Sequence, residues 1–392
     1  MKKSFTILAT ILLVMAGCGE SKQPAGELIT VDVTAGYPKK ELILQDFMDV
    51  EYIPLETTDE FITMGWLHSI GKELILVRNR NRATDGKIFV FDRNGKGLRV
   101  INRSGQGGEE YSFLLGMTLD EDRDEIFVSD RDTRKILVYD LSGKFKRSLD
   151  NTKDIPYEMG IYNFDRDNLI CQDGTLLSDG HPDRFMIISK QDGSITREIE
   201  IPYKEFISSA VLFDGENFRS VMPIRNRMLV PGPDSSWMLM ENSSDTVYRL
   251  MSDYSMAPLI ARTPAIQSMS PGIFLYPSVL TGRYCFMQTV KAEWDWENNT
   301  GHTRVDLVYD MEEKALFESV VYNADFTGKQ PVSMTSEVTF GNNEIALVHK
   351  LEAYELVEAY EKGELKGRLA EIAATLDEES NPVIMLIKYK KK

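Results

Sequence analysis

The residues Ile88–Ile101 read IFVFDRNGKGLRVI, and the same strand–turn–strand pattern returns as ILVYDLSGKFKRSL at Ile136–Leu149. A weaker copy, FMIISKQDGSITREI, occupies Phe185–Ile199. The glycines of the three turns are Gly95, Gly143 and Gly193. They lie 48 and 50 residues apart, and a β-rich repeat of about this length is typical of the blades of a β-propeller.

One complete repeat unit can be followed over Phe113–Leu149. FLLGMTLD, EIFVSD, ILVYD and FKRSL are predicted strands, and EDRD, RDTRK and LSGK are the turns between them. Four strands per unit is the composition of a propeller blade. The apolar runs Ile126–Val128 and Ile136–Tyr139 are continuous, which predicts burial on both faces, as in a blade that is packed between two others.

The number of blades follows from the endings of the third strands. Six such endings occur, at residues 88–92, 136–140, 186–189, 246–250, 305–310 and 383–390. An early segment, VEYIPLE at Val50–Glu56, has no blade of its own, and we expect it to pair with the last blade and close the ring. The sequence therefore predicts an all-β fold, a six-bladed β-propeller of four-stranded blades closed by an N-terminal strand.

One helical insertion is predicted late in the chain, at Ala353–Leu376, where leucine and isoleucine recur at helical spacing. Gly363 and Gly367 interrupt this segment, so it can consist of two helices. It falls between the second and third strands of the last blade.

The start of the chain has the pattern of an export signal. Lys2 and Lys3 precede an apolar stretch that is too short to span a bilayer, which needs about 20 apolar residues. The stretch ends in VMAGC, which resembles the lipobox of bacterial lipoproteins, with Cys18 as the residue that receives the lipid. We therefore expect a signal peptide at residues 1–17, a lipid-anchored tether at 18–27 and a single propeller domain at 28–392. Because Gly19 follows the cysteine, we expect the outer membrane, facing either the periplasm or the cell surface.

Several segments resemble the six-bladed β-propeller lipoproteins found in the envelopes of gut Gram-negative bacteria, relatives of the NHL-repeat and TolB-like propellers. The segments are VEYIPLE at 50–56, FDRNGK to RSGQGGEEY at 91–111, IFVSDRDTRKILVYDLSGK at 126–144, DTVYRL at 245–250 and ESNPVIMLIKYK at 379–390. Gly108 and Glu109 depart from that family, which tends toward proline then glycine at these positions. The resemblance implies the fold and an envelope location rather than an activity.

The mature chain is strongly acidic. Removal of residues 1–17 takes away two lysines, which leaves 43 basic and 61 acidic residues and a formal net charge of −18. This balance argues against nucleic acid as a partner. Cys171 and Cys285 lie in strand-like runs of the third and fifth blades, and we expect both to be free and buried.

The long connections of the predicted propeller share one end of the ring, and this end is the expected site. In the first two blades it contains Arg78, Arg80, Arg82, Arg131 and Arg134. These guanidinium groups could hold a carboxylate or sulfate. Alternatively, they pair with Asp85, Asp130 and Asp132. His181 and Arg184 belong to the corresponding loop of the third blade.

Trp294 and Trp296 alternate with Glu293, Asp295 and Glu297 in a predicted hairpin on the same end. At strand spacing both indole rings share one face, a pattern that suits stacking on a sugar. Alternatively, the indoles pack on the propeller itself.

Motifs for metals, cofactors and nucleophiles are weak. The four histidines have no zinc-ligand spacing, and the Asp120, Asp122 and Asp124 series lacks the glycine and the glutamate of a calcium loop. The glycines at 105–108 are not followed by a helix, and no GxSxG motif occurs. We expect no metal and no cofactor, although paired carboxylates for glycoside cleavage stay open.

The sequence therefore favours an envelope protein that binds a glycan, a peptide or another envelope protein. The alternatives are a propeller hydrolase or lyase acting on polysaccharide, or a structural subunit of an outer-membrane uptake complex with the helix as its docking element.

Overall fold

A computed structural model describes most of the chain after the predicted tether. Within the described ranges it contains twenty-seven β-strands and three short α-helices. None of these helices has the length and apolar character that a membrane span requires. The described residues are 28–79, 85–150, 159–173, 184–214, 219–224, 227–298, 300–335 and 343–391.

The chain begins with three strands that belong to different blades. They are β1 (Ile29–Asp32), β2 (Lys39–Ile43) and β3 (Met48–Pro54), with the single-turn helix α1 (Leu44–Phe47) between the last two.

The first three blades are regular four-stranded antiparallel sheets. Blade 1 contains β4 (Trp66–Ile70), β5 (Leu74–Arg78), β6 (Lys87–Asp92) and β7 (Gly97–Asn102). Blade 2 contains β8 (Leu114–Asp120), β9 (Glu125–Asp130), β10 (Lys135–Tyr139) and β11 (Phe145–Leu149). Blade 3 contains β12 (Met159–Asn163), β13 (Asn168–Asp173), β14 (Arg184–Ser189) and β15 (Ile195–Ile199). Blade 2 matches the strands predicted for Phe113–Leu149 almost residue by residue.

Blades 4 and 5 have five strands each, because an N-terminal strand is added to their outer edges. Blade 4 contains β18 (Leu229–Pro231), β19 (Trp237–Leu239), β20 (Thr246–Leu250) and β21 (Met256–Thr263). Blade 5 contains β22 (Ile273–Leu280), β23 (Tyr284–Asp295), β24 (Gly301–Asp310) and β25 (Ala315–Tyr322). A separate hairpin, β16 (Ala210–Asp214) and β17 (Arg219–Pro223), precedes blade 4.

The described strands of blade 6 are β26 (Ile345–Leu351), β27 (Val383–Tyr389) and β3. The predicted helical insertion lies between β26 and β27 as two helices, α2 (Ala353–Glu361) and α3 (Gly367–Ala373). The two glycines at the break, Gly363 and Gly367, have φ values of +69° and +54°, which explains why one continuous helix does not form.

The ring is closed by the N-terminal strands. β3 pairs antiparallel with β27, from Met48 opposite Tyr389 to Pro54 opposite Val383, so the prediction for the VEYIPLE segment is confirmed. β1 and β2 were not predicted: they pair in parallel with β21 and β25, the outer strands of blades 4 and 5. The N-terminal segment therefore runs along the outside of three consecutive blades.

Each of the three repeated turns has the same cause. Gly95, Gly143 and Gly193 have φ values of +85°, +84° and +78°, a conformation that glycine adopts without steric cost. In the first two turns an aspartate at the end of the third strand, Asp92 or Asp140, accepts two backbone N–H groups of the turn. The repeat seen in the sequence is therefore a repeat of turn chemistry.

The core lies between the blades. In β9, every side chain is buried. Val128 packs with side chains of blade 1, whereas its neighbour Phe127 packs with side chains of blade 3. This two-sided burial confirms the interpretation of the continuous apolar runs. Cys171 and Cys285 are buried free thiols in blades 3 and 5, as expected.

The alternating strand directions give the ring two distinct ends. The connections from second to third strands and from blade to blade form the long-loop end. The connections from first to second and from third to fourth strands form the short-turn end. The first strands of blades 1, 2 and 3 contact one another and line the centre of the ring.

Candidate functional site

The described candidate residues lie on the long-loop end. Arg78 ends β5, Arg131 and Arg134 lie in the turn between β9 and β10, and Trp294 lies near the end of β23 with Trp296 just beyond it. Arg184 begins β14 and thus belongs to the same end. Arg80, Arg82 and His181 lie outside the described residues.

Arg78 joins two blades. Its guanidinium group donates to the carbonyl oxygens of Leu114 and Leu115 at the start of blade 2, at 2.5 and 3.3 Å, and to the imidazole of His68. Burial, together with the positive charge of Arg78, holds the pKa of His68 well below its ordinary value, so the ring accepts as a neutral group. Much of the hydrogen-bonding capacity of Arg78 is therefore used within the ring.

Arg131 reaches the same junction from blade 2, with its guanidinium carbon 5.4 Å from the ring centre of Phe113. Asp130 accepts hydrogen bonds from Ser112, Thr133 and the backbone N–H of Phe113. The acids proposed as arginine partners are thus bonded to other donors, and both Arg131 and Arg134 are exposed.

A long hairpin carries the two tryptophans. β23 has 12 residues and β24 has 10, whereas the second strands of blades 1 to 3 have 5 or 6. The ring centres of Trp294 and Trp296 are 5.9 Å apart, which places both indoles together as predicted. Trp294 also meets His302, its cross-strand neighbour, edge to face at 5.1 Å.

This aromatic cluster contains polar atoms without partners. The indole Nε1 of Trp294 and Nε2 of His302 are buried and have no hydrogen-bond partner among the described residues. Burial lowers the pKa of His302, and a hydrogen bond with the carbonyl of Glu293 opposes this change. Trp296 is 37% exposed, so the cluster presents an aromatic surface to solvent.

The carboxylates of the hairpin have separate roles. Asp295 accepts from Asn298 and Thr300 and thereby shapes the turn, which lowers the pKa of Asp295. Glu293 forms an ion pair with Lys291. Across the part of the chain that the structure describes, no group of three or more His, Cys, Asp or Glu side chains could hold a metal ion.

The short-turn end contains a depression that the sequence did not predict. It consists of two cavities of about 850 and 630 Å³ that share Asp120, Asp122, Asn163 and Asn343. Its wall takes a few residues from each of several blades, so no contiguous motif marks it. One signal was visible, because the short turns of blades 2 and 3 both contain Asp-Arg-Asp, at 122–124 and 165–167.

Three solved structures show the similarity of the fold. A Bacteroides fragilis protein described as a candidate exported protein is 13% identical with a TM-score of 0.55, and the match covers 93% of this chain and all of that one. A member of the DUF4221 family from Bacteroides vulgatus is 10% identical with a TM-score of 0.46, over 88% and 97% of the two chains. A virginiamycin B lyase from Staphylococcus aureus is 12% identical with a TM-score of 0.36, over 88% and 100%.

The search of curated proteins gave no match. A family model described as "Domain of unknown function (DUF4934)" matches residues 28–262, which is 235 of the 392 residues. The match begins at the N-terminal strands and extends through blades 1 to 3 into the outer strand of blade 4. The chain therefore belongs to the DUF4934 family.

Proposed function

We propose that this propeller is a lipid-anchored binding protein of the cell envelope whose recognition surface is its long-loop end. The observation that carries the proposal is the aromatic cluster of Trp294, Trp296 and His302 at the tip of the blade 5 hairpin. Arg131, Arg134, Arg184 and His181 are the proposed accessory groups.

The cluster combines the two properties that recognition needs. Adjacent indole rings give a large contact area at little cost in side-chain entropy, since each has two rotatable bonds. The unpaired Nε1 of Trp294 and Nε2 of His302 can bond to a hydroxyl or carbonyl group that a ligand brings. A saccharide ring or an extended peptide offers both a flat face and such groups.

The path of the N-terminal segment supports this choice of end. β1 runs parallel to β21, an outer strand that starts at the short-turn end, so the chain reaches blade 4 from the short-turn end. With lipid on Cys18, ten tether residues would span at most about 35 Å. The short-turn end would then lie toward the membrane and the long-loop end away from it. The Bacteroides fragilis protein with the same fold is itself described as a candidate exported protein, which agrees with an envelope location.

The proposal is tested with the full chain on an array of glycans and peptides. Trp294→Ala combined with Trp296→Ala should reduce binding at least about tenfold, the effect of about 1.4 kcal/mol of lost contact. The matched control is Tyr354→Ala with Tyr360→Ala, because these exposed tyrosines of α2 lie on the same end. A double tryptophan variant that unfolds early and keeps its affinity would show that the indoles only pack on the propeller.

The anchor is tested separately. Cys18→Ala should move the protein from the detergent phase to the aqueous phase, or leave it unprocessed, while the propeller still folds. Partitioning that does not change would refute lipidation at Cys18 without affecting the binding test.

A further inference from the structure

The depression at the short-turn end has the properties of a second binding site, separate from the aromatic cluster. Its larger cavity, of about 850 Å³, is lined by residues of blades 2, 3, 4 and 6 and has the size of a small-molecule pocket. The adjoining cavity extends it toward blade 1. The four residues that the two cavities share make them one continuous depression over the centre of the ring.

The charged side chains of this depression are already paired with each other. Lys190 is only 2% exposed, and its Nζ donates to Asp120 at 2.7 Å and to the carbonyl oxygen of Asp165 at 2.8 Å. Glu125 accepts from Arg147 at 2.5 and 2.9 Å and from Lys146 at 2.7 Å. A ligand with a net charge would have to break one of these pairs, so the depression favours a neutral ligand.

Two polar groups of the wall keep unused capacity. Asn163 donates from Nδ2 to the carbonyl of Leu119 at 2.6 Å, which fixes its amide, while its Oδ1 is buried with no partner in the described part of the chain. An ammonium group has three N–H donors, and Lys190 directs two of them to the protein partners named above. The wall thus offers one buried acceptor and one buried donor.

An aromatic side completes the depression. Trp237 is 3% exposed and lines the larger cavity together with Phe164. Phe164 is held by stacking on Tyr254 at 5.4 Å. A flat aromatic wall beside a separate donor and acceptor is complementary to a sugar ring, which has an apolar face and hydroxyl groups that both donate and accept.

From these four observations we infer that the short-turn end of the ring binds a neutral saccharide, with Asn163 Oδ1 and Lys190 Nζ contacting its hydroxyl groups and Trp237 lying against its ring. This site is independent of the proposed long-loop surface, because it uses blades 2, 3, 4 and 6 at the opposite end of the ring.

The test is a fluorescence titration of the full chain that carries Trp294→Phe and Trp296→Phe, so that the long-loop cluster does not contribute tryptophan signal. The probes are glucose, galactose, mannose, N-acetylglucosamine and maltose, with glucuronate and glucosamine as charged counterparts. Concentrations up to about 50 mM reveal dissociation constants in the millimolar range. We expect a saturable change of Trp237 fluorescence with at least one neutral sugar, and binding of charged counterparts weaker by about tenfold or more.

Two variants locate the signal. Asn163→Ala should weaken binding about tenfold through the lost acceptor. Asn343→Phe should fill the shared part of the depression while replacing an exposed residue whose described hydrogen bond goes to Ser235. Asn298→Ala, on the opposite end, is the control and should leave the titration unchanged.

Melting temperatures identify variants that merely fail to fold, in which case Asn343→Phe carries the test. The inference is overturned if no neutral sugar gives a saturable change, if charged sugars bind more tightly, or if a folded Asn343→Phe variant binds as before.

Discussion

Blades 1 to 3 and blades 4 to 6 are built differently, although both halves belong to one ring. The first half, here the repeat half, consists of four-stranded sheets with short turns and strands of five to seven residues. The second, here the braced half, carries the N-terminal strands β1, β2 and β3 on its outer edges. It also carries the long hairpin of blade 5 and the two helices of blade 6.

The comparison indicates that elaboration and bracing occur together. Long strands and insertions give blades 4 to 6 their irregular long-loop end, and the same blades receive extra backbone hydrogen bonds from a segment more than 200 residues away in sequence. The hairpin β16–β17 adds support from the side, because β16 lies against β23. The proposed recognition surface is therefore mounted on the half of the ring that is held most firmly from outside.

The largest expected effect concerns ring closure. Ile53 of β3 is 2% exposed and packs in the core between blades 6 and 1, so Ile53→Asp should destabilise the protein by about 4 kcal/mol or more. The control is Ile43→Asp in β2, where the side chain is 39% exposed and the expected change is below about 1 kcal/mol. Urea denaturation measures both, and equal effects would mean that β3 does not close the ring.

A smaller effect concerns the attachment of β2 to blade 5. The buried carboxylate of Asp310 accepts from Lys40 of β2 at 2.7 Å and from Arg283 at 2.9 Å. Asp310→Asn should cost about 3 kcal/mol at neutral pH, because two cations lose their anionic partner. Denaturation midpoints measured from pH 7 down to pH 2 would show it.

The pH dependence of that effect has a defined sign. Burial alone would raise the pKa of Asp310, but Arg283 and Lys40 outweigh it and hold the pKa well below its usual range. A depressed folded-state pKa stabilises the protein above the unfolded value near 4, and this stability is lost as the pH falls further. The difference between wild type and Asp310→Asn should therefore shrink below about pH 4. A difference that grows on acidification would contradict this assignment.

The smallest effect compares one glycine in each kind of region. A Cβ on Gly71 of blade 1 would lie 2.3 Å from the carboxylate of Glu121, which accepts the backbone N–H groups of Lys72, Glu73 and Leu74 from blade 2. Gly71→Ala should cost about 1 to 2 kcal/mol by displacing this contact between blades. Gly36, between β1 and β2, has open space around it, and Gly36→Ala should change stability by less than about 0.5 kcal/mol.

The sequence predicted the repeat half well, and the reason is local. Turns such as those at Gly95 and Gly143 are determined by residues a few positions apart, so the six third strands and the break in the helix at Gly363 could be located. β1 and β2 could not, because their partners, such as Ile260 for Ile29, are distant in sequence and the strands have no turn signal of their own.

The candidate sites divide in the same way. The contact between Trp294 and Trp296 follows from strand spacing and was predicted. The roles of Arg78 and His68 at the junction of blades 1 and 2 depend on how the blades pack, which the sequence does not reveal. The depression at Asn163 and Lys190 is assembled from separate blades and has no contiguous motif.

Hydrogen–deuterium exchange of the full chain, with and without a ligand identified on the array, tests the central claim most directly. The account predicts that binding protects amides of the blade 5 hairpin, from Lys291 to Arg304, while the outer strands β7, β11 and β15 of the repeat half exchange as before. Protection confined to blades 1 to 3, with an unchanged blade 5 hairpin, would contradict it.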